Sequence, residues 1–232
     1  MTHQKNKKIV FIIVEGQSDK IVLGSVFEKI FDKQNVFIHI EHGDITANSS
    51  VNSSNILSKI CSSIKAYANN NHLTRKHFQE IIHIIDTDGA YIEDQDVQYQ
   101  NTDKVQYTPT AIFTARVADI QKRNSLKRQN LNKIISTAKI WSLKYRVYYM
   151  SSNLEHVLHD KQNASDSEKI SLAYSFAEQY VSDIPAFINY ISNSGFSVLG
   201  DYPETWMYIQ KDKHSLERHT NLRLCIPDDE RA

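Results

Sequence analysis

Ile9-Val10-Phe11-Ile12-Ile13-Val14 runs straight into Glu15-Gly16, and Ile81-Ile82-His83-Ile84-Ile85 runs into Asp86-Thr87-Asp88-Gly89. Runs this apolar and β-branched have the character of strands buried on both faces of a parallel sheet. In open sheets of that kind, ligands gather outside the carboxyl ends of the strands. The sequence therefore sends Glu15, Asp86 and Asp88 toward one crevice. Clustered carboxylates repel unless a positive charge lies between them, and a divalent cation bound by oxygen is the simplest such charge.

Working outward from these stretches, the spacing after Gly16 changes from strand to helix. Ser18 is a capping residue, and Val22, Leu23, Val26, Phe27, Ile30 and Phe31 follow on one helical face. A short strand over 36–40 exits into Glu41-His42-Gly43-Asp44, and the Ser/Asn-rich stretch 48–55 is a loop. Ile56, Leu57, Ile60, Cys61, Ile64 and Ala68 mark the next helix. The order up to residue 88 is thus β-α-β-α-β, which implies a right-handed, parallel α/β sheet.

Residues 93–132 read as a polar, poorly periodic insertion. Its second half carries Arg116, Lys122, Arg123, Lys127 and Arg128, with Lys133 just beyond, against the lone acid Asp119. A solvated helix face or loop is the plainer reading of such a charge run, and a nucleic-acid-binding surface is the functional one. Tyr145 to Met150 forms a further strand, with a helix beginning near Leu154. Ser165-Asp166-Ser167-Glu168 has capping-box spacing, and another helix lies around 187–191. The expected organisation is an α/β domain over 1–160 containing the basic insertion, and a mainly helical region over 161–232.

Composition limits the function. The chain has 232 residues and equal numbers of Lys+Arg and Asp+Glu, 27 each, for a formal charge of zero. Any nucleic-acid surface must therefore come from local clustering rather than overall charge. Cys61 and Cys225 form no CxxC, so neither a disulfide framework nor a structural zinc ribbon is indicated, which suits a cytoplasmic location. The apolar run behind the basic start, Met1 to Lys8, is too short for a membrane span and shows no cleavage site, so neither an export signal nor a membrane partner is expected.

Val14-Glu15-Gly16-Gln17-Ser18-Asp19, followed downstream by Ile85-Asp86-Thr87-Asp88-Gly89, resembles the toprim domain. That catalytic fold is shared by topoisomerases, bacterial primases, small ribonucleases and the overcoming-lysogenisation-defect nucleases. The resemblance implies a toprim-like, Rossmann-like sheet with Glu15 as general acid/base or metal ligand. It further implies that Asp86 and Asp88 hold Mg²⁺ or Mn²⁺, with Asp19 and Glu155 assisting a second ion. Ala90 stands where many members carry a third acid, a departure that bears on that second ion. The function implied is a metal-dependent endonuclease cutting DNA or RNA, in phage defence or RNA maturation. No Walker motif occurs, so an ATPase acting with it would be a separate partner protein.

Blander readings accompany each feature. Strand-end acids often only cap helices, and Glu155 can complement a helix N-terminus. Gly16 and Gly89 let a backbone or a phosphate come close. His156 and His159 read as surface or core histidines, Trp141 and Trp206 as packing residues, and Tyr145, Tyr148 and Tyr149 as strand residues rather than nucleophiles. Two other functions stay open: a toprim-like module that binds without cutting, and a haloacid-dehalogenase-like phosphatase with Asp86 as the phosphorylated residue.

Overall fold

The computed structural model describes residues 8–31, 35–40 and 44–227. The strand exit Glu41-His42-Gly43 and the basic residues 1–7 lie outside them. The chain begins with β1 (Ile9–Val14), α1 (Gln17–Ile30), β2 (Asn35–Ile40), α2 (Ile56–Asn70) and β3 (Phe78–Asp86), the alternation that the sequence implies. Three short strands follow, β4 (Val97–Tyr99), β5 (Gln106–Tyr107) and β6 (Ile112–Thr114), and then α3 (Val117–Ile135). The remainder is β7 (Lys139–Ile140), β8 (Leu143–Met150), α4 (Leu154–His159), α5 (Asp166–Val181), α6 (Ile184–Asn193) and α7 (Tyr202–Ile209).

The main sheet has the order β2-β1-β3-β8-β7. Its first four strands are mutually parallel, and the short β7 returns antiparallel along β8. The protein is therefore α/β, with a mixed but mostly parallel sheet between helical layers. After β1 the chain lays β2 on one side and then crosses back to lay β3 on the other. The carboxyl ends of β1 and β3 consequently flank the point where the winding reverses, where such sheets open a crevice.

Period-two alternation divides the strand side chains between two cores. Val10, Ile12, Val14, Ile82 and Ile84 pack with residues of α1, α5 and α6. Phe11, Ile13, Ile81, Ile85 and Tyr149 pack with residues of α2, α3 and α7. Each fully buried large apolar side chain contributes about 1.5–3 kcal/mol. The sheet is thereby a rigid platform for whatever projects from its ends. Cys61 and Cys225 belong to opposite cores.

Two expectations change. Residues 93–132 are structured: β4, β6 and β5 make a second small sheet, and most of the basic stretch is helix α3. Residues 161–232 carry α5, α6 and α7; α5 and α6 pack on one face of the sheet while Trp206 and Ile209 of α7 pack on the other. Gly16, not Ser18, caps α1. The strand tyrosines are buried, with the hydroxyls of Tyr148 and Tyr149 donating to the carbonyls of Leu224 and Thr205 and that of Tyr145 bonded to His83 Nδ1.

Candidate metal centre

Glu15 is the first residue beyond β1, and Asp86 is the last residue of β3. The two ends are joined directly, since the Asp86 N–H donates to Glu15 Oε1 at 3.3 Å. Beyond Asp86 the chain reverses through Asp88 and Gly89, at φ values of 48° and 67°. This left-handed pair turns the Asp88 carboxylate back over the strand end. Gly89 takes a φ that other residues rarely adopt, and a Cβ there would also lie 2.5 Å from Leu216 Cδ2. Thr87 locks the turn: its hydroxyl donates to the Ser215 carbonyl at 2.7 Å and accepts from the Ser152 N–H at 2.8 Å.

One group of acids is tight. Oxygens of Glu15, Asp44 and Asp88 all lie within 4.8 Å of one another. Asp44 appears in the sequence reading only at the end of the exit from the 36–40 strand, with no role given to it, since it stands four residues beyond β2 in irregular chain. Its Oδ1 accepts from the Thr46 N–H and hydroxyl, which leaves Oδ2 facing inward. Between these acids lies Lys127, whose Nζ donates to Asp88 Oδ2 at 2.5 Å and to Asp44 Oδ2 at 2.6 Å, and stands 3.8 Å from Glu15 Oε1. Its side chain is 0% exposed.

Lys127 is thus a correction to the nucleic-acid reading of α3, since a fully buried ammonium touches no polymer. Arg123 is also turned inward, donating to the Asp88 carbonyl at 2.9 Å and the Tyr107 hydroxyl at 2.8 Å. Arg116 and Lys122 remain exposed and Arg128 is half-buried. The inward face of α3 is polar for a structural reason: Asn130 donates to the carbonyls of Thr46 and Val51 and so pins the loop that carries Asp44.

The second group of acids is looser. Asp19, in the first turn of α1, accepts from the Gly16 N–H at 2.7 Å, so it caps its own helix while facing the site. Glu155, in the first turn of α4, is 3% exposed. Its Oε2 lies 3.6 Å from Lys169 Nζ of α5, whereas the buried Oε1 has no hydrogen-bond partner. Asp86 lies in the field of Glu15, Asp19, Asp88 and Glu155. Among the described residues no cationic side chain lies within ion-pair distance of Asp86, though the charge of Lys169 acts on it. Glu93 and Asp94 stay outside, and Asp96 is engaged by Lys213 at 2.8 Å.

Protonation follows from this arrangement. Burial first, and then the charge of Asp44, push the Glu15 carboxyl well above the usual range despite Lys127. Burial, followed by Glu15 and Asp19, does the same to Asp86. Burial raises Asp19 to about 7, helped by Glu155 and opposed by the Gly16 N–H. For Asp44 burial pulls upward too, but the charge and hydrogen bond of Lys127 overcome it and hold the carboxyl below its ordinary value. Lys127 itself is held charged, the three acids outweighing its burial.

The donor set fits a hard divalent cation. It consists of carboxylate oxygens, one of them orphaned and buried, at a point where mutual repulsion favours extra protons or an ion. The class that fold and site define is a mostly parallel α/β protein with a cluster of acids at the reversal of strand order. Comparison of the chain with protein-family models, curated proteins and solved structures finds no match. Among the described residues, no helix is long and apolar enough to cross a membrane.

Proposed function

We propose that this protein is a toprim-like, Mg²⁺- or Mn²⁺-dependent nuclease that hydrolyses phosphodiester bonds in DNA or RNA. The observation that carries the reading is that Glu15 and Asp86 stand joined at the carboxyl ends of β1 and β3, with oxygens of Glu15, Asp44 and Asp88 within 4.8 Å of one another and Asp86 in the field of Glu15, Asp19, Asp88 and Glu155. A divalent ion, when bound, polarises a phosphoryl oxygen and lowers the pKa of a bound water. Asp86 and Glu155 are the residues to hold it, because neither Asp86 nor the Glu155 Oε1 atom is otherwise engaged. Lys127 fixes Asp88 and Asp44 in place. Glu15, which burial biases toward its protonated form, is suited to pass a proton to a leaving oxygen. Arg116, Lys122 and Arg128 supply the accessible positive charge of α3 for a polyanion.

Phage defence, with a separate ATPase partner, and RNA maturation are the two settings this reading suggests. The location of Cys61 and Cys225 in opposite cores accords with a cytoplasmic site of action. Purified protein is expected to cut single- or double-stranded DNA, transfer RNA or a ribosomal precursor with Mg²⁺ or Mn²⁺ but not in EDTA. Asp86→Asn and Glu15→Gln are expected to reduce cleavage at least a hundredfold while circular dichroism stays native. Undiminished cleavage by Asp86→Asn, or none with any metal, removes the proposal.

One observation favours a second reading. Lys127 already neutralises the tight triad, so the acids can also serve a module that binds a partner or nucleic acid without cutting it. Calorimetry with Mg²⁺ and Mn²⁺ separates the two, because such a module takes up neither ion.

A further inference from the structure

The two groups of acids differ in what neutralises them. In the tight triad, an ammonium lies at hydrogen-bond distance from two carboxylates and close to a third. Mg²⁺ needs donors at about 2.0–2.1 Å in near-octahedral order. An ion cannot take the centre of that triad while Lys127 holds it. Nor is the ammonium loosely placed: its helix is anchored on either side by Asn130 to the Asp44 loop and by Arg123 to the Asp88 carbonyl. Expelling a buried charge from such a place leaves carboxylates unpaired, which is costly.

The Asp86 side is the reverse. Glu155 is buried, and its Oε1 has no partner. Lys169 stands 3.6 Å from the other oxygen of Glu155 with its side chain 36% exposed, and its charge acts more weakly on Asp86 and Asp19. Asp86 is paired with no cation among the described residues. This side has an unpartnered ligand atom, and its only counter-charge among the described residues is a partly exposed lysine.

Resting on the nuclease reading and deepening it, we propose that the site takes a single divalent cation on the Asp86 side, and that the Lys127 ammonium is a built-in second positive charge standing where another ion would sit. The ion is held through Asp86 and Glu155, with Asp19 and Glu15 at its border. Lys127 keeps Asp88 and Asp44 neutralised whatever the metal concentration, so metal dependence follows one binding event. The Ala90 departure accords with this, because a site with a resident ammonium has no use for a third acid two residues after Asp88.

The test is Mn²⁺ stoichiometry on the full chain, read by calorimetry and by the paramagnetic resonance signal of free Mn²⁺. The wild-type protein is expected to bind one ion, Asp86→Asn to bind it at least tenfold more weakly, and Asp44→Asn to keep it. Lys127→Met is expected to take up two. Two ions on the wild type, one ion on a folded Lys127→Met, or greater loss in Asp44→Asn than in Asp86→Asn overturns the assignment. Should Lys127→Met fail to fold, the Asp44→Asn and Asp86→Asn pair decides by itself. One bound ion without cleavage of any nucleic acid supports the assignment and overturns the nuclease reading; no bound ion overturns both.

Discussion

Two clusters of carboxylates gather at the carboxyl ends of β1 and β3, and they differ in how far their charge is compensated. Around Glu15, Asp44 and Asp88 the counter-charge is covalently part of the chain, desolvated and in contact. Around Asp86, Asp19 and Glu155 it is a partly exposed lysine, touching one acid from 3.6 Å, and an oxygen is left bare. The same residue types thus produce an internal ion pair on one side and an unfilled demand for positive charge on the other. The contrast shows that an acidic cluster is read less by counting its acids than by asking which of them already have a partner.

Removing the counter-charge is the strongest way to break the comparison. Lys127→Met leaves buried acids uncompensated and is expected to cost about 3–5 kcal/mol in urea denaturation with EDTA. Added Mn²⁺ is expected to restore part of it. A variant as stable as the wild type in EDTA would show that the lysine neutralises nothing of consequence.

Asp86→Asn acts in the opposite sense. It removes a buried carboxyl repelled by its neighbours, so the metal-free protein is expected to unfold at a higher urea concentration than the wild type above neutral pH. In the same urea denaturation, the stabilisation by Mn²⁺ should shrink in step with the weaker binding. A destabilised variant in EDTA would mean that Asp86 has a cationic partner after all.

The pH dependence sharpens the same point. Asp19 rises from an ordinary 3.8 to about 7 in the folded protein, and Glu15 and Asp86 are shifted in the same direction. These carboxyls bind protons more tightly folded than unfolded. Their contribution is complete below the unfolded values and is lost as pH rises through the folded ones. Metal-free protein is therefore expected to lose stability between about pH 4 and pH 7, and Mn²⁺ to flatten the slope. Asp44, shifted downward, contributes oppositely: its stabilisation is present above 3.8 and lost as pH falls further. A rising urea midpoint across pH 4 to 7 in EDTA would contradict the burial of the Asp86 group.

The smallest effect belongs to Lys169→Met. Its side chain is 36% exposed and stands 3.6 Å from Glu155, so solvent screening limits the loss to less than about 1 kcal/mol in EDTA. A loss as large as that of Lys127→Met would erase the distinction between the two sides.

Much of the fold was legible because strand and helix periods differ. The β1 and β3 runs, the α1 stripe from Val22 to Phe31 and the Ser165 capping box all stand where the sequence places them. Helix α3 was not legible. Its buried face reads Ile120, Asn124, Lys127, Asn130, Leu131 and Ile134, which has helical spacing but is polar at its middle. A search for apolar recurrence passes over it, and a reading of charge assigns Lys127 to the surface. The regular spacing of those polar residues was the available signal. It becomes interpretable only when partners from distant segments are known, as Asp44 and Asp88 are for Lys127.

By itself, the sequence determined the parallel α/β alternation and sent Glu15, Asp86 and Asp88 to the carboxyl ends of two strands, because apolar runs bury on both faces and acids stop at their ends. Tertiary structure alone decided that Asp44 joins them, that Lys127 fills the centre of the triad, and that Glu155 keeps an unpartnered oxygen. The reason is physical. Periodicity is a local property of the backbone, whereas the neutralisation of a buried charge depends on distances between segments far apart in the chain, and those distances exist only once the sheet and α3 have packed.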